Sequence, residues 1–156
     1  RKILAQIRKP EGRPLRVLDL CAAPGGKTTH LLSLLPQGSM LVSNEPVPQR
    51  AQVLAENVIK WGNPASVVTR NEPADFGKFT NFFDLVVVDA PCSGEGMFRK
   101  DQGAVEQWSL SNVEQCVKRQ KRILADIQKH FPNGGGGNRA DNLFYHTLEG
   151  TGNLIR

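Results

Sequence analysis

Residues 16–29 read Arg-Val-Leu-Asp-Leu-Cys-Ala-Ala-Pro-Gly-Gly-Lys-Thr-Thr. An apolar run ends near Asp19, two glycines follow, and a segment compatible with a helix begins at Lys27. Because glycine has no Cβ, Gly25 and Gly26 allow a positive φ and a close approach of the backbone to a ligand. The amides at the start of the following helix point toward the same place. We interpret the stretch as the strand, turn and helix of a nucleotide-cofactor site.

Two common phosphate-binding patterns do not fit this turn. A phosphate loop needs a glycine five residues before Gly26, where this chain has Cys21. The turn also lacks the dinucleotide fingerprint Gly-x-Gly-x-x-Gly. We therefore expect a nucleoside ligand without a pyrophosphate, and S-adenosylmethionine meets that description.

A second apolar run, residues 41–45, ends in an acidic residue, Glu45. An acidic side chain about 20 residues beyond a glycine turn commonly binds ribose hydroxyls. Glu45 equally suits the cap of a helix that begins near residues 46–48. The glycine turn upstream favours the ribose.

Apolar runs and helical spacing alternate along the chain. Strands are predicted at residues 16–20, 40–44, 65–69 and 83–88, and amphipathic helices at residues 47–61 and 111–129. Repeated strand–helix–strand units predict an α/β, Rossmann-like fold with a mostly parallel sheet flanked by helices.

The pattern changes after residue 130. Four consecutive glycines, residues 134–137, stand where the next strand is expected, and residues 138–156 show no clear alternation. We therefore predict a core over residues 1–130 and an irregular, poorly ordered glycine-rich tail over residues 131–156, which would leave the fold incomplete at its C-terminus.

The chain is basic, with 20 Lys and Arg residues against 15 Asp and Glu residues, a net charge of +5. The basic residues concentrate at Arg1, Lys2, Arg8, Lys9, Arg13 and Arg16, and again at Lys118, Arg119, Lys121 and Arg122. Such clusters suit phosphate contacts with a nucleic acid, although solvated helix faces explain them equally well.

The cysteines and apolar runs limit other classes of function. Cys21, Cys92 and Cys116 lie in unrelated contexts without paired spacing or nearby histidine clusters, so we expect neither a metal site nor disulfides. No apolar run approaches the roughly 18 residues that cross a membrane. We expect a monomeric protein of the reducing cytoplasm with no membrane partner.

A second motif, Asp89-Ala-Pro-Cys92-Ser-Gly94, follows the apolar run at residues 83–88. A thiol beside a carboxylate at a strand end indicates chemistry more than packing. Taken with the glycine turn and with Asn44-Glu45 and Arg50, this motif resembles the Sun/nucleolar-protein family of RNA (cytosine-5)-methyltransferases. The resemblance covers about residues 14–127 and is strongest to the bacterial branch that modifies small-subunit ribosomal RNA.

The resemblance implies a role for each matching residue. The methionine part of S-adenosylmethionine would be surrounded by Cys21, Ala22, Ala23, Pro24, Gly25, Gly26 and Lys27. Glu45 would hold the ribose with the help of Arg50, and Asn71 stands where the family has an acidic residue near the adenine amino group. Asp89 would face both the cofactor and the target base, with Lys27 nearby. The substrate implied is RNA, and ribosomal RNA in particular.

The family also implies a covalent step, in which a thiolate adds to carbon 6 of cytosine and so makes carbon 5 nucleophilic. Its Pro-Cys-Ser-Gly cysteine, here Cys92, mainly helps to release the product. The nucleophile lies in a later Thr-Cys motif, but no cysteine follows Cys116 in this sequence. Three explanations stay open: an artefactual tail on an active family member, an inactive S-adenosylmethionine- and RNA-binding module, or Cys92 as the nucleophile, as in DNA cytosine-5 methyltransferases.

Overall fold

The computed structural model describes residues 12–80, 82–90, 109–130, 143–148 and 151–155. Strands alternate with helices, as the apolar pattern predicts. In chain order the elements are β1 (Arg16–Asp19), α1 (Gly26–Leu34), β2 (Met40–Asn44), α2 (Pro48–Trp61), β3 (Ser66–Thr69), a 3-10 helix (Pro73–Lys78), β4 (Leu85–Val88), α3 (Leu110–His130), β5 (Leu143–Leu148) and β6 (Thr151–Ile155).

All six strands belong to one sheet in the order β3-β2-β1-β4-β5-β6. Strands β1 to β5 are parallel, and β6 pairs antiparallel with β5. The chain moves outward from β1 to β3 and then returns to the other side of β1, so the strand order reverses between β1 and β4. Ligand sites of open parallel sheets lie beyond the carboxyl ends of the strands at such a reversal. The predicted fold class is confirmed.

Both faces of the central strands are covered, because alternate residues of a strand point to opposite sides of the sheet. One face forms a cluster of strand residues with α1, made of Leu15, Val17, Leu32, Leu41, Leu85 and Val87. The other face packs against the 3-10 helix and α3 and includes Leu18, Leu20, Phe76, Phe83, Val86, Val88 and Ile123. The sheet is therefore a rigid platform for the loops at its carboxyl edge.

Helix α2 follows the predicted amphipathic pattern only in part. Ala51, Leu54 and Val58 are buried, and Leu54 and Val58 pack against Ala22 of the glycine turn. Trp61, at the end of the helix, is instead half exposed. The apolar stripe thus fixes α2 beside the turn after β1. Among the described residues, no helix has both the length and the apolar character to cross a membrane.

The C-terminal part of the sheet corrects one prediction. Residues 143–148 and 151–155 form β5 and β6, and Leu143 lies opposite Leu85 of β4 in a parallel register. The expectation of an irregular tail without a next strand is therefore wrong for these residues. Their sequence, Leu-Phe-Tyr-His-Thr-Leu in β5, is rich in residue types that favour strands. The division of the chain at residue 130 stays a prediction, and the four glycines lie outside the described residues.

The turn between β1 and α1 depends on one glycine. Gly25 has φ of 110°, a conformation that favours glycine, and caps α1 by accepting the N–H of Thr29 at 2.9 Å. A Cβ placed there would lie 3.3 Å from Cδ1 of Leu54 and 3.4 Å from Cβ of Asn57, both on α2. Gly26 has no such constraint, because a Cβ at that residue would have no neighbouring atom within 4 Å.

We predict that Gly25→Ala lowers the free energy of unfolding by about 1–3 kcal/mol, because alanine combines an unfavourable φ with contact against α2. Gly26→Ala is the matched control and should leave stability unchanged or raise it by up to about 1 kcal/mol. Urea unfolding measures both. Equal effects of the two substitutions would contradict the close packing of Gly25 against α2.

Candidate functional site

A cavity of about 430 Å³ opens at the carboxyl ends of β1, β2 and β3. Segments that follow β1, β2 and β3 form one side, and α3 forms another. The lining residues are Cys21, Glu45, Pro46, Val47, Pro48, Arg50, Glu72, Pro73, Ala74, Arg119, Arg122, Ile123 and Asp126. Its size is typical of a small-molecule site, and six of its lining side chains are charged, three of them basic and three acidic.

Glu45 lines this cavity and is almost fully buried. Its Oε1 accepts the backbone N–H of Val47 at 3.1 Å. Its Oε2 lies 3.4 Å from Nη2 of Arg50 in an ion pair, but accepts no hydrogen bond within the described chain. A buried carboxylate oxygen without a donor is unusual in proteins, so Oε2 can accept a hydroxyl group of a ligand.

Arg50 connects Glu45 to the glycine turn. Its Nη2 also donates to the carbonyl oxygen of Ala23 at 3.3 Å. On the same turn, Asn57 of α2 donates to the carbonyl oxygen of Pro24 at 2.7 Å. The structure thus brings Ala23, Pro24, Glu45 and Arg50 together. It adds Asn57, whose position on the exposed half of an amphipathic helix gave no sign of this contact.

The turn presents its backbone amides at the start of α1. Within α1 the ladder of hydrogen bonds begins at the N–H of Thr29, so the amides of Gly26 and Lys27 precede the first helical bond. The backbone of Ala22 is fixed to the end of β2, because its N–H donates to the carbonyl oxygen of Asn44 at 2.8 Å. A negatively charged or electron-rich group of a ligand can therefore bind at this helix end.

Cys21 lies in the cavity wall and is buried. Burial, with the nearby carboxylates of Glu45 and Asp19, raises the pKa of its thiol to about 12. The thiol therefore stays protonated at neutral pH and can contact a ligand only as an uncharged group. It is a weak nucleophile in this state, because only the thiolate is a strong one.

A second group of charged residues lies at the ends of β1 and β4. Lys27 of α1 forms an ion pair with Asp89, the residue that follows β4. Asp19, at the end of β1, is fully buried and accepts the hydroxyl of Thr28 at 2.7 Å through Oδ2, while its Oδ1 has no hydrogen bond in the described chain. The structure thus places Lys27 beside Asp89, and their catalytic roles stay predictions. Cys92 lies outside the described residues.

Asn71, predicted to contact adenine, is held by its backbone. Its N–H donates to Oδ1 of Asn44 at 2.9 Å, and its carbonyl oxygen accepts Nδ2 of Asn44, also at 2.9 Å. The cavity is lined by its neighbour Glu72 and not by Asn71. The adenine contact of Asn71 therefore stays a prediction.

Sequence reasoning missed the wall that α3 contributes. This wall consists of Arg119, Arg122, Ile123 and Asp126. The sequence gave no sign of their contribution, because they are far along the chain from the glycine turn. The helical spacing identified the buried side of α3, but only the packing of α3 against the 3-10 helix places the edge of that side at the cavity.

The fold is of the Rossmann-like methyltransferase type. The crystal structure of PH0851 is similar with a TM-score of 0.73 and 23% identity, over 92% of this chain and 31% of PH0851. NSun6 from Pyrococcus horikoshii, solved with SFG, is similar with a TM-score of 0.63 and 20% identity, over 95% of this chain and 35% of NSun6. At these identities the similarity establishes the fold.

The family follows from sequence. The profile described as 16S rRNA methyltransferase RsmB/F matches residues 5–146, and the chain belongs to this family. The ribosomal RNA small subunit methyltransferase F of Shewanella denitrificans is 40% identical over 115 residues, 73% of this chain. The chain spans 23% of the length of that relative. The resemblance to the bacterial ribosomal-RNA branch of the Sun family is confirmed.

We predict that Asp19 makes stability depend on pH. Burial raises the pKa of Asp19 from 3.8 to about 6; the Thr28 hydrogen bond and Lys27 oppose the shift, and Asp89 adds to it. Between these values the folded protein binds more protons than the unfolded chain, so this contribution favours folding below about pH 4 and is lost as pH rises through about 6. The loss is about 3 kcal/mol, at about 1.4 kcal/mol for each pKa unit.

Urea unfolding of the wild type and of Asp19→Asn at pH 4 and pH 7 tests this effect. The variant keeps an acceptor for Thr28, and its stability relative to the wild type should rise as pH rises. Glu56→Gln, which removes an exposed carboxylate from α2, supplies the baseline. A stability difference between Asp19→Asn and the wild type that is the same at both pH values would show that Asp19 is not a buried titrating carboxyl.

Proposed function

We propose that this chain is part of the catalytic core of an enzyme that transfers a methyl group from S-adenosylmethionine to carbon 5 of a cytosine in small-subunit ribosomal RNA. The family match over residues 5–146 supports methyl transfer to ribosomal RNA. The observation that carries the cofactor assignment is Glu45, a buried residue that lines a cavity of suitable size and whose Oε2 accepts no hydrogen bond within the described residues.

The cavity residues fit S-adenosylmethionine in chemistry as well as in size. Ribose hydroxyls would donate to Glu45, and the apolar side chains of Val47 and Ile123 would cover the faces of adenine. The turn from Cys21 to Lys27 would hold the methionine part, with the amides of Gly26 and Lys27 available to its carboxylate. Asn71 or its neighbour Glu72 would receive the adenine amino group.

At the reacting end, S-adenosylmethionine would supply an electrophilic methyl group. Asp89 is placed at the end of β4, and its ion pair with Lys27 holds its carboxylate in position there. In the proposed reaction, Asp89 would bind N3 and the amino group of cytosine. The family's later cysteine, which has no counterpart after Cys116 in this sequence, would have to supply the thiolate that adds to carbon 6. After methylation a base would remove the proton on carbon 5, and the thiol would leave with Cys92 assisting product release.

A second candidate is a catalytically inactive module that binds S-adenosylmethionine and RNA. The specific observation in its favour is that no cysteine follows Cys116 in the sequence, although the family places its nucleophile there. Transfer of a labelled methyl group from S-adenosylmethionine to small-subunit ribosomal RNA separates the two. Label at carbon 5 of cytosine supports the enzyme, whereas cofactor binding without any transfer supports the module. A cytoplasmic location and a monomeric state belong to both proposals.

Calorimetric titration with S-adenosylmethionine tests the cofactor site directly. We predict saturable binding by the wild type and an increase in Kd of about ten- to hundredfold for Glu45→Ala, because the variant loses a hydrogen bond to a charged acceptor. Glu56→Ala, on the exposed side of α2, is the matched control and should bind like the wild type. Absence of binding by folded wild-type protein would exclude the proposed function of this chain.

A further inference from the structure

The solvent-exposed side of α3 carries a dense positive charge next to the cavity. Lys118, Arg119, Lys121 and Arg122 are all exposed, and the residue between them, Gln120, is buried. Four of five consecutive residues are thus basic on a helix whose buried side is fixed against the sheet. The four basic side chains therefore lie on the side of α3 that faces away from the core.

The four basic residues divide into two pairs by position. Arg119 and Arg122, three residues apart and therefore neighbours on the helix surface, both line the cavity. Lys118 and Lys121 do not line it, although they lie on the same helix. The basic groups that line the cavity are therefore all guanidinium groups, and the carboxylates of Glu45, Glu72 and Asp126 line it as well. Guanidinium groups match the geometry of phosphate oxygens better than ammonium groups do.

Neither arginine has an ion-pair partner among the residues that the structure describes, even though Asp126 follows Arg122 by one turn. Arg50, on the opposite wall, is in contrast bound to Glu45 and to the carbonyl oxygen of Ala23. S-adenosylmethionine carries no phosphate, so the cofactor offers these two arginines no phosphate group to bind.

We propose that Arg119 and Arg122 bind backbone phosphates of the substrate RNA, so that the strand crosses α3 at the mouth of the cofactor cavity. This inference rests on the proposed function in taking RNA as the substrate. Contacts from two arginines would position the strand without reading its sequence, because phosphates are the same at every nucleotide. Lys118 and Lys121 would add only general electrostatic attraction.

Fluorescence anisotropy with a fluorescein-labelled RNA hairpin, measured with the 156-residue chain from about 50 to about 200 mM salt, tests the proposal. Arg119→Gln/Arg122→Gln should weaken RNA binding by at least about tenfold at the lowest salt. It should also reduce the slope of log K against log salt by about 1.4, the value for two phosphate contacts on a single strand. Lys118→Gln/Lys121→Gln removes the same charge from the same helix and should change both quantities clearly less.

Three results would overturn the proposal: no RNA binding by the wild type, equal losses in the two double variants, or a loss of S-adenosylmethionine affinity in the arginine variant that exceeds its loss of RNA affinity. The last result would assign the arginines to the cofactor. Calorimetric titration of the wild type with S-adenosylmethionine tests cofactor binding independently of RNA binding. Failure of the proposed function would therefore appear as missing cofactor binding, while the difference between the arginine and lysine variants would still test the RNA surface.

Discussion

The side chain of Asn44, buried at the end of β2, holds the carboxyl edge of the sheet together. Its Nδ2 donates to the carbonyl oxygens of Leu20 and Asn71, and its Oδ1 accepts the hydroxyl of Thr69 and the N–H of Asn71. One amide group thereby uses its full hydrogen-bonding capacity to connect the segments after β1, β2 and β3. Because an unsatisfied amide is costly when buried, these three segments keep a fixed spacing. That spacing determines the shape of the cavity.

Two buried carboxylates at this edge have the same incomplete bonding. Asp19 and Glu45 each use one oxygen within the protein, in bonds to Thr28 and to the N–H of Val47. The other oxygen of each carboxylate accepts no hydrogen bond in the described chain. Buried polar atoms of this kind are rare in folded proteins and mark places where water, an ion or a ligand completes the bonding. Both lie at the carboxyl edge of the sheet, Asp19 at the end of β1 and Glu45 directly after β2, and Glu45 lines the cavity.

The sequence predicts the central sheet well because hydrophobic periodicity is a local signal. Strands β1 to β4 and helices α2 and α3 lie within two residues of their predicted bounds, and the glycine turn lies where its conformational freedom requires. The contribution of α3 to the cavity could not be predicted, because it depends on how a distant helix packs. Strands β5 and β6 were missed because the glycine run outweighed a short strand-forming segment. Asn71 and Glu72 are adjacent in the sequence. Only the hydrogen bonds between the side chain of Asn44 and the backbone of Asn71 determine which of the two faces the cavity.

Binding of S-adenosylmethionine at the carboxyl edge of the sheet is the central claim, and amide chemical-shift mapping of the 15N-labelled chain tests it most directly. On addition of S-adenosylmethionine, we expect the largest shifts at Ala22, Gly26, Glu45 and Val47, which belong to the glycine turn and to the segment after β2 that lines the cavity. Shifts confined to the opposite edge of the sheet, where residues 36–39 line a separate cleft, would contradict it.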